Sequence, residues 1–191
     1  MLKDLVLRNR SYRRFDQSTR IAPETLRGLV DLARLTPSAR NCQPLKYLLI
    51  HNEETCAKMF PFLMWAGYLK DWDGPVEGER PSAYVVVLGD TSIANTYNVD
   101  PGIAAQTLLL GAVEEGLGGC ILASIQRQGI REAFEVAEKF EILYVIALGK
   151  PVEVVVLEDL QGDGDIKYWR DEKQVHHVPK RGLKDVIVGE K

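Results

Sequence analysis

Apolar residues recur along this 191-residue chain at two spacings, which separate helices from strands. From residue 23 to about residue 35 they fall at i, i+3, i+4 and i+7 starting at Leu26, which predicts an amphipathic helix. Pro23 suits the first helical position, and Pro37 ends the helix because the residue before a proline is pushed out of the α region. Residues 101–115 are apolar around most of the circumference, so this longer helix belongs in a core or a subunit interface.

Continuous apolar runs predict the strands. They cover residues 45–51, 83–88, 119–124 and 142–148. The second run is almost wholly apolar, so we expect its strand to be buried on both faces. Asp100 is expected to be the N-cap of the long helix, and Asn52 that of a short one. Strands and helices mix without strict alternation, which favours an α+β fold with a sheet covered by helices.

Composition excludes several classes of function. The net charge of −3 gives no field that attracts polyanions, so we expect no nucleic-acid partner. Three cysteines without a Cys-x-x-Cys pair favour reduced thiols over a disulfide framework or a zinc site. Residues 159–170 partly follow a calcium-loop pattern, but Arg170 stands where a bidentate Glu is needed, so we expect no metal site. With no signal-like segment and no run of about 18 apolar residues, we expect a cytoplasmic protein that does not contact membranes.

A basic segment lies near the N-terminus. The first 20 residues hold six basic and two acidic side chains. Within them, Arg10, Ser11 and Arg13 are close enough to converge on one phosphate, because guanidinium groups bind phosphate bidentately and a hydroxyl adds a donor. The alternative is a solvated basic helix face.

A second string, residues 37–44 (PSARNCQP), is rich in small and amide residues. Its two terminal prolines fix the backbone at both ends. Ser38, Asn41 and Gln43 offer donors and acceptors suited to the polar edge of a flavin ring. Cys42 lies within this turn, and either a reactive thiol beside Arg40 or a quietly packed one is consistent with the sequence.

In this order and at this separation, the two strings resemble the FMN-dependent nitroreductase family. Members of that family usually carry Arg-Arg-Ser-x-Arg-x-Phe, an amphipathic helix, and then Pro-Ser-x-x-Asn-x-Gln-Pro running into a strand. The long helix, the glycine turn at residues 116–119 and the short strand after it also match in order. Three departures stand out: Asn9 replaces the first Arg, Ala123-Ser124 replaces a Glu-Gly pair of larger members, and residues 61–80 are compact, which implies a small pocket lid.

The resemblance implies one FMN-binding domain over residues 1–191, with a mixed, mainly antiparallel sheet flanked by helices. It also implies a homodimer with a non-covalently bound flavin at the subunit interface. One chain would hold the phosphate and ring edge, its partner would supply the proline-bracketed turn, and a short strand would line the ring. The residues implied, in that order, are Arg10, Ser11 and Arg13; Pro37, Ser38, Ala39 and Asn41; and Leu122, Ala123 and Ser124. A basic pair, Lys180 and Arg181, would add positive charge near the phosphate.

The activity implied by the resemblance is an NAD(P)H-dependent flavin oxidoreductase. NADH or NADPH would reduce the flavin and leave, and a small acceptor such as a nitroaromatic or a quinone would follow in a ping-pong cycle. The sequence shows no nucleophile elbow or acid–base pair, and this mechanism requires no catalytic side chain. Two alternatives stay open: a flavin-binding sensor or carrier without nicotinamide turnover, and a scaffold that has lost flavin. Residues 61–80, which are aromatic and turn-rich, are either substrate-facing or a packed surface loop.

Overall fold

The computed structural model describes residues 1–160, 162 and 164–191. Gln161 and Asp163, on which part of the rejected calcium-loop pattern falls, lie outside the described residues. The described chain forms two compact units: residues 1–65 with 73–152, and residues 66–72 with 153–191. A single FMN-binding domain over residues 1–191 stays a prediction.

The first unit is built on an antiparallel sheet. Its strands follow the order β1-β5-β3-β2, and β4 also pairs with β5. All of these pairings are antiparallel. The predicted α+β fold with a mainly antiparallel sheet and flanking helices is therefore confirmed. In chain order the elements are α1 (Leu2–Arg8), β1 (Phe15–Asp16), α2 (Pro23–Arg34), β2 (Leu45–Ile50), α3 (Glu53–Met59), β3 (Ala83–Asp90), α4 (Asp100–Glu114), β4 (Gly118–Leu122), α5 (Arg127–Ala133) and β5 (Phe140–Pro151).

The core of this unit lies between the sheet and the pair α2 and α4. Every residue of β3 is buried, as its apolar run predicted. Leu26 of α2, Leu108 of α4 and Ile146 of β5 are fully buried in one cluster, and each such side chain contributes about 1.5–3 kcal/mol. The two helices approach closely at Gly111, where a Cβ atom would lie 2.5 Å from Leu32 Cδ1. An alanine at this position would therefore force the Leu32 and Leu29 side chains to move.

The predicted N-cap residue is confirmed for α3 and is wrong for α4. Asn52 caps α3 as predicted, with its Oδ1 accepting from the Thr55 amide at 2.8 Å. The prediction that Asp100 caps α4 was wrong: Val99 is the cap, and Asp100 is the first helical residue. The Asp100 carboxylate instead binds donors in the distant turn at residues 38–39, which leaves the helix start without a side-chain cap.

The second unit holds a three-stranded sheet that the sequence patterns did not predict. It consists of β6 (Val155–Asp159), β7 (Trp169–Arg170) and β8 (His176–Lys180), followed by α6 (Leu183–Val186). The central strand β8 is parallel to β6 and antiparallel to β7. A buried ion pair between Arg170 and Glu153, 3.0 Å long, braces the unit.

The aromatic segment at residues 61–80 is exposed over much of its length but has a packed aromatic side chain at Trp65. Trp65 is buried and stacks on Phe60, with ring centroids 5.9 Å apart. Gly74 has φ 125° and lies against the same indole, so a Cβ atom there would be 2.5 Å from Trp65 Cδ1. This packing favours the surface-loop interpretation for these positions. Of the helices in the described ranges, none is both long and apolar enough to cross a bilayer.

Candidate functional site

The basic segment at residues 10–14 lies along the start of β4. Ser11 forms a parallel bridge with Gly119, and the Tyr12 amide donates to the Gly119 carbonyl at 3.0 Å. Arg13 is only 9% exposed, and its Nη1 donates to the Ser11 carbonyl at 3.1 Å. The backbone pairing therefore fixes the place from which these side chains extend.

Two donors of this segment lack a partner within the described residues. Arg10 Nη2 donates to the Val6 carbonyl at 2.7 Å, but its buried Nε has no hydrogen-bond acceptor there. The Ser11 side chain is exposed, and its hydroxyl makes no hydrogen bond inside that same part of the chain. Arg14, by contrast, forms a two-point ion pair with Glu79 at 2.7 and 2.5 Å, which is a structural role. A buried donor without a partner is costly, so Arg10 fits an anionic ligand.

The residues predicted to line the flavin ring lie at the other end of β4. Leu122 ends the strand and is buried, whereas Ala123 and Ser124 are exposed. The Ala123 carbonyl accepts from Arg127 Nη2 at 3.3 Å, and the Ser124 carbonyl accepts from the Met64 amide at 3.0 Å. The strand β4 therefore contacts the basic segment at its start and leads into this exposed corner at its end. The sequence patterns did not predict that Arg127 would bind the Ala123 carbonyl.

The proline-bracketed turn at residues 37–44 is held by the start of α4. Ser38 Oγ donates to Asp100 Oδ2 at 2.6 Å, and the Ala39 amide donates to Asp100 Oδ1 at 3.0 Å. Ser38 Oγ in turn accepts from the Gln43 amide at 2.9 Å. The hydroxyl of Ser38 is therefore occupied within the protein, where it shapes the turn, and Asp100 is a site residue that sequence reasoning missed.

The same turn has an unusual backbone. Arg40, Asn41 and Gln43 have φ values of 51°, 54° and 51°, in the left-handed region that disfavours most side chains. Such residues cost about 1–3 kcal/mol each and persist only where surrounding contacts hold them. The contacts made by the buried Asp100 carboxylate supply that restraint. Pro37, Ala39 and Asn41 remain exposed and available to a ligand or a partner chain.

The two predicted halves of the site lie at opposite ends of α4. The turn is attached to Asp100, the first residue of this 15-residue helix. The basic segment is next to its last turn, where Arg8 Nη1 donates to the Val113 carbonyl at 3.4 Å. A helix of this length spans about 22 Å. Measured along the helix, the turn and the basic segment of one chain are therefore anchored about 22 Å apart.

The remaining candidates are a basic pair and a thiol. Lys180 ends β8, where its carbonyl accepts from the Leu160 amide at 2.8 Å, and both Lys180 and Arg181 have exposed side chains. Their role at the phosphate stays a prediction. Cys42 is an exposed free thiol, whereas burial raises the pKa of Cys56 to about 11, which keeps that thiol protonated.

The sequence pattern of the nitroreductase family matches residues 6–150, most of the chain. The chain belongs to the nitroreductase family. This is a family of oxidoreductases, and the matched range contains both motifs and β4. Of the predicted flavin contacts in this nitroreductase-family protein, Lys180 and Arg181 lie outside that range.

Individual relatives of this nitroreductase-family protein are distant in sequence. A Methanothermobacter thermautotrophicus protein named as an NADH dehydrogenase/NAD(P)H nitroreductase is 29% identical over 158 residues, which is 79% of this chain and 78% of the relative. The Bacillus subtilis protein YodC, named as an NAD(P)H nitroreductase, is 22% identical over 180 residues, which is 78% of this chain and 89% of YodC. An Exiguobacterium sibiricum protein described as a nitroreductase, solved in complex with FMN, matches 80% of this chain and 89% of its own length with a TM-score of 0.68 and 20% identity. At that identity the structural likeness is one of fold.

Proposed function

We propose that this protein is a homodimeric, FMN-dependent NAD(P)H oxidoreductase that reduces small acceptors such as nitroaromatics and quinones. Membership of the family supports this, as do the NAD(P)H nitroreductase names of two relatives and the FMN complex of a third. The chemistry that bound FMN supplies is hydride transfer from NAD(P)H to an acceptor, with donor and acceptor occupying one position in turn. The protein itself binds the flavin, orients donor and acceptor against it, and shields the ring from side reactions.

The basic segment is the observation that carries the proposal. Arg10 Nε is buried without a partner among the described residues, and the free Ser11 hydroxyl stands next to it in sequence. Arg13 is held beside them by its bond to the Ser11 carbonyl. Two guanidinium groups and one hydroxyl match the three acceptor oxygens of a phosphate monoester.

The ring of the flavin is assigned to two chains. Because the proline-bracketed turn is about 22 Å from the basic segment along α4, we assign the turn that meets the ring to the partner subunit. That turn would offer Pro37, Ala39 and Asn41 to one face, and Ser38 would shape the turn through its bond to Asp100. Leu122, Ala123 and Ser124 of the first chain would line the reactive edge, and no side chain is assigned a catalytic role.

The first unit carries exposed apolar side chains that suit a subunit interface. They lie on α1, α2, the start of α4 and β4. The set is Leu2, Val6, Leu7, Leu32, Leu35, Val99, Ile103 and Ile121, which are between 36 and 66% exposed. Exposed apolar side chains of this kind suit burial against a partner surface. A second copy of the chain is the proposed occupant.

Absorbance spectroscopy tests the cofactor directly. The purified protein, after incubation with FMN and gel filtration, should be yellow and hold one FMN per chain. Anaerobic addition of NADH or NADPH should then bleach the flavin rapidly. A colourless protein that takes up no FMN contradicts the proposal, and a yellow protein that neither nucleotide bleaches favours the sensor or carrier alternative.

A variant of the phosphate site refines that test. Arg13→Ala should weaken FMN binding about 10- to 150-fold, because a hydrogen bond to a charged group contributes about 1.5–3 kcal/mol. Arg10→Ala tests the same site at a less buried position. The control is Arg27→Ala on α2, where an exposed guanidinium pairs with Glu24 at 3.0 Å. Equal FMN affinity in all of these variants, measured by fluorescence titration on folded protein, would mean that the phosphate is bound elsewhere.

A further inference from the structure

A cavity of about 280 Å³ lies beside the proline-bracketed turn. On one side it is lined by Ala39, Arg40 and Cys42, and on the other by residues 93–98, between β3 and α4. Its volume is near the lower limit of small-molecule pockets, about 300 Å³. The cavity is separate from the basic segment, which is at the far end of α4.

Arg40 is the one cationic side chain among the residues that line this cavity, and it has no counter-ion within the described chain. It forms no ion pair and no side-chain hydrogen bond with any of the described residues. The arginine on the preceding helix is different, since Arg34 pairs with Asp31 at 2.5 Å. An unpaired guanidinium presents five donors in a planar fork. Its natural ligand is a planar anion.

The rest of the lining supports an anion with a polar body. Asp100 also borders the cavity, and both of its carboxylate oxygens are occupied as acceptors, one from the Ser38 hydroxyl and one from the Ala39 amide. Asn95 and Asn98 are exposed on the opposite wall, and within the described chain their amide groups have no side-chain partner. These amides can donate to the second oxygen of a bound carboxylate or to a polar substituent.

We propose that this cavity binds the carboxylate of an anionic organic acceptor and that Arg40 selects such acceptors over neutral ones. This inference rests on the proposed function, because it assigns the neighbouring turn to the flavin ring. Guanidinium and carboxylate bind in a bidentate, coplanar arrangement, which fixes orientation as well as affinity. The left-handed backbone at Arg40, φ 51°, is held by the Asp100 contacts and keeps the side chain at the cavity wall.

Protection of Cys42 tests occupancy without any turnover. This thiol lines the cavity and is exposed, whereas Cys56 and Cys120 are buried. Labelling of Cys42 by the neutral reagent N-ethylmaleimide, followed by mass spectrometry, should slow about tenfold with saturating benzoate and remain unchanged with benzamide. Arg40→Asn should abolish the protection, since Asn tolerates the left-handed backbone and removes the charge. Arg40→Lys should retain part of it.

Acceptor preference tests the role in catalysis. The ratio of kcat/KM for 4-nitrobenzoate to that for nitrobenzene should fall at least about tenfold in Arg40→Asn, which is about 1.4 kcal/mol. The matched control is Arg27→Asn, an exposed arginine on α2 whose loss should leave the ratio unchanged. Each variant is compared at equal FMN occupancy, so a change in flavin retention does not enter the ratio.

The remaining outcomes of these two experiments would each overturn a part of the proposal. An unreactive Cys42 means that the cavity is closed, which overturns the proposal. Protection by inorganic phosphate but not by benzoate overturns the assignment to a carboxylate, and an unchanged acceptor ratio in Arg40→Asn overturns the selective role. If no FMN binds but benzoate still protects Cys42, the proposed function fails while the anion site stands, and its role toward an acceptor is then refuted.

Discussion

Asp100 joins two segments that are 62 residues apart, and its removal is the perturbation with the clearest expected cost. Its carboxylate is 4% exposed and accepts from the Ser38 hydroxyl at 2.6 Å and the Ala39 amide at 3.0 Å. Three residues in the turn that it holds, Arg40, Asn41 and Gln43, are in the left-handed region. We therefore expect Asp100→Ala to destabilise the protein and to release the turn.

The magnitude follows from the two hydrogen bonds. Each hydrogen bond to a charged acceptor contributes about 1.5–3 kcal/mol, which gives about 3–6 kcal/mol for the pair. Both donors are near the surface, so water replaces part of this, and we expect a loss of about 3 kcal/mol. For a chain of this size the thermal midpoint should fall by about 6–12 °C. Asp100→Asn keeps one neutral acceptor and should lose about half as much.

Urea denaturation followed by circular dichroism measures the loss, and hydrogen exchange at the Ala39 amide measures release of the turn. The control is Asp31→Ala, which removes an exposed ion pair with Arg34 and should cost at most about 1 kcal/mol. If Asp100→Ala unfolds at the same urea concentration as the control and the Ala39 amide exchanges as in the wild type, Asp100 does not restrain the turn.

Two further perturbations probe the framework of the basic segment. Gly119→Ala would place a Cβ atom 2.5 Å from the Ala147 carbonyl oxygen, so we expect a loss of at least about 2 kcal/mol in urea unfolding and weaker FMN binding. Asp16 has its pKa lowered to about 2, mainly by the hydrogen bond from the Ser18 hydroxyl and then by that from Thr19. Its contribution to stability is complete above the unfolded pKa of about 3.9 and is lost as the pH falls toward 2, so the urea midpoint of Asp16→Asn should vary less between pH 4 and 2 than that of the wild type.

Each of these perturbations has a matched comparison. Gly28→Ala on α2 adds a methyl group where no atom lies within 4 Å, and it should stabilise the helix by about 0.5–1 kcal/mol. A loss in Gly28→Ala equal to that of Gly119→Ala would show that contact with the Ala147 carbonyl is not the cause. For Asp16, the comparison is Ser18→Ala, whose urea midpoint should change with pH by an amount between those of Asp16→Asn and the wild type. Identical slopes in all three proteins would contradict the assigned hydrogen bond.

Local patterns predicted much of the first unit. The periodicity starting at Leu26 gave α2 to within one residue of its end, and the apolar run from residue 83 gave β3. The helix α2 buries one stripe and the strand β3 buries both faces, and each kind of burial requires a characteristic spacing of apolar residues that is visible in the sequence. The sheet of the second unit was not predicted, because β7 has only two residues and Pro179 interrupts the pattern of β8.

The candidate site also has a part that the sequence predicted and a part that it did not. The two motifs were visible because each is a short run of unusual residues. The restraints that position them were not, since they come from far along the chain: Asp100 reaches back 62 residues to Ser38, and Glu79 is 65 residues from Arg14. A carboxylate at the start of a helix is typical of a cap, and no local signal distinguishes a cap from a long-range acceptor.

Because the two motifs of one centre would come from different chains, the proposed dimer predicts complementation between altered chains. On the proposed dimer, a chain altered at Arg10 and a chain altered at Asn41 each form only weakened centres alone, yet a hybrid of the two has one centre with both lesions and one with neither. Random exchange of subunits would then restore about a quarter of the centres. Two alleles that are each impaired in this way would partly complement each other when expressed in one cell.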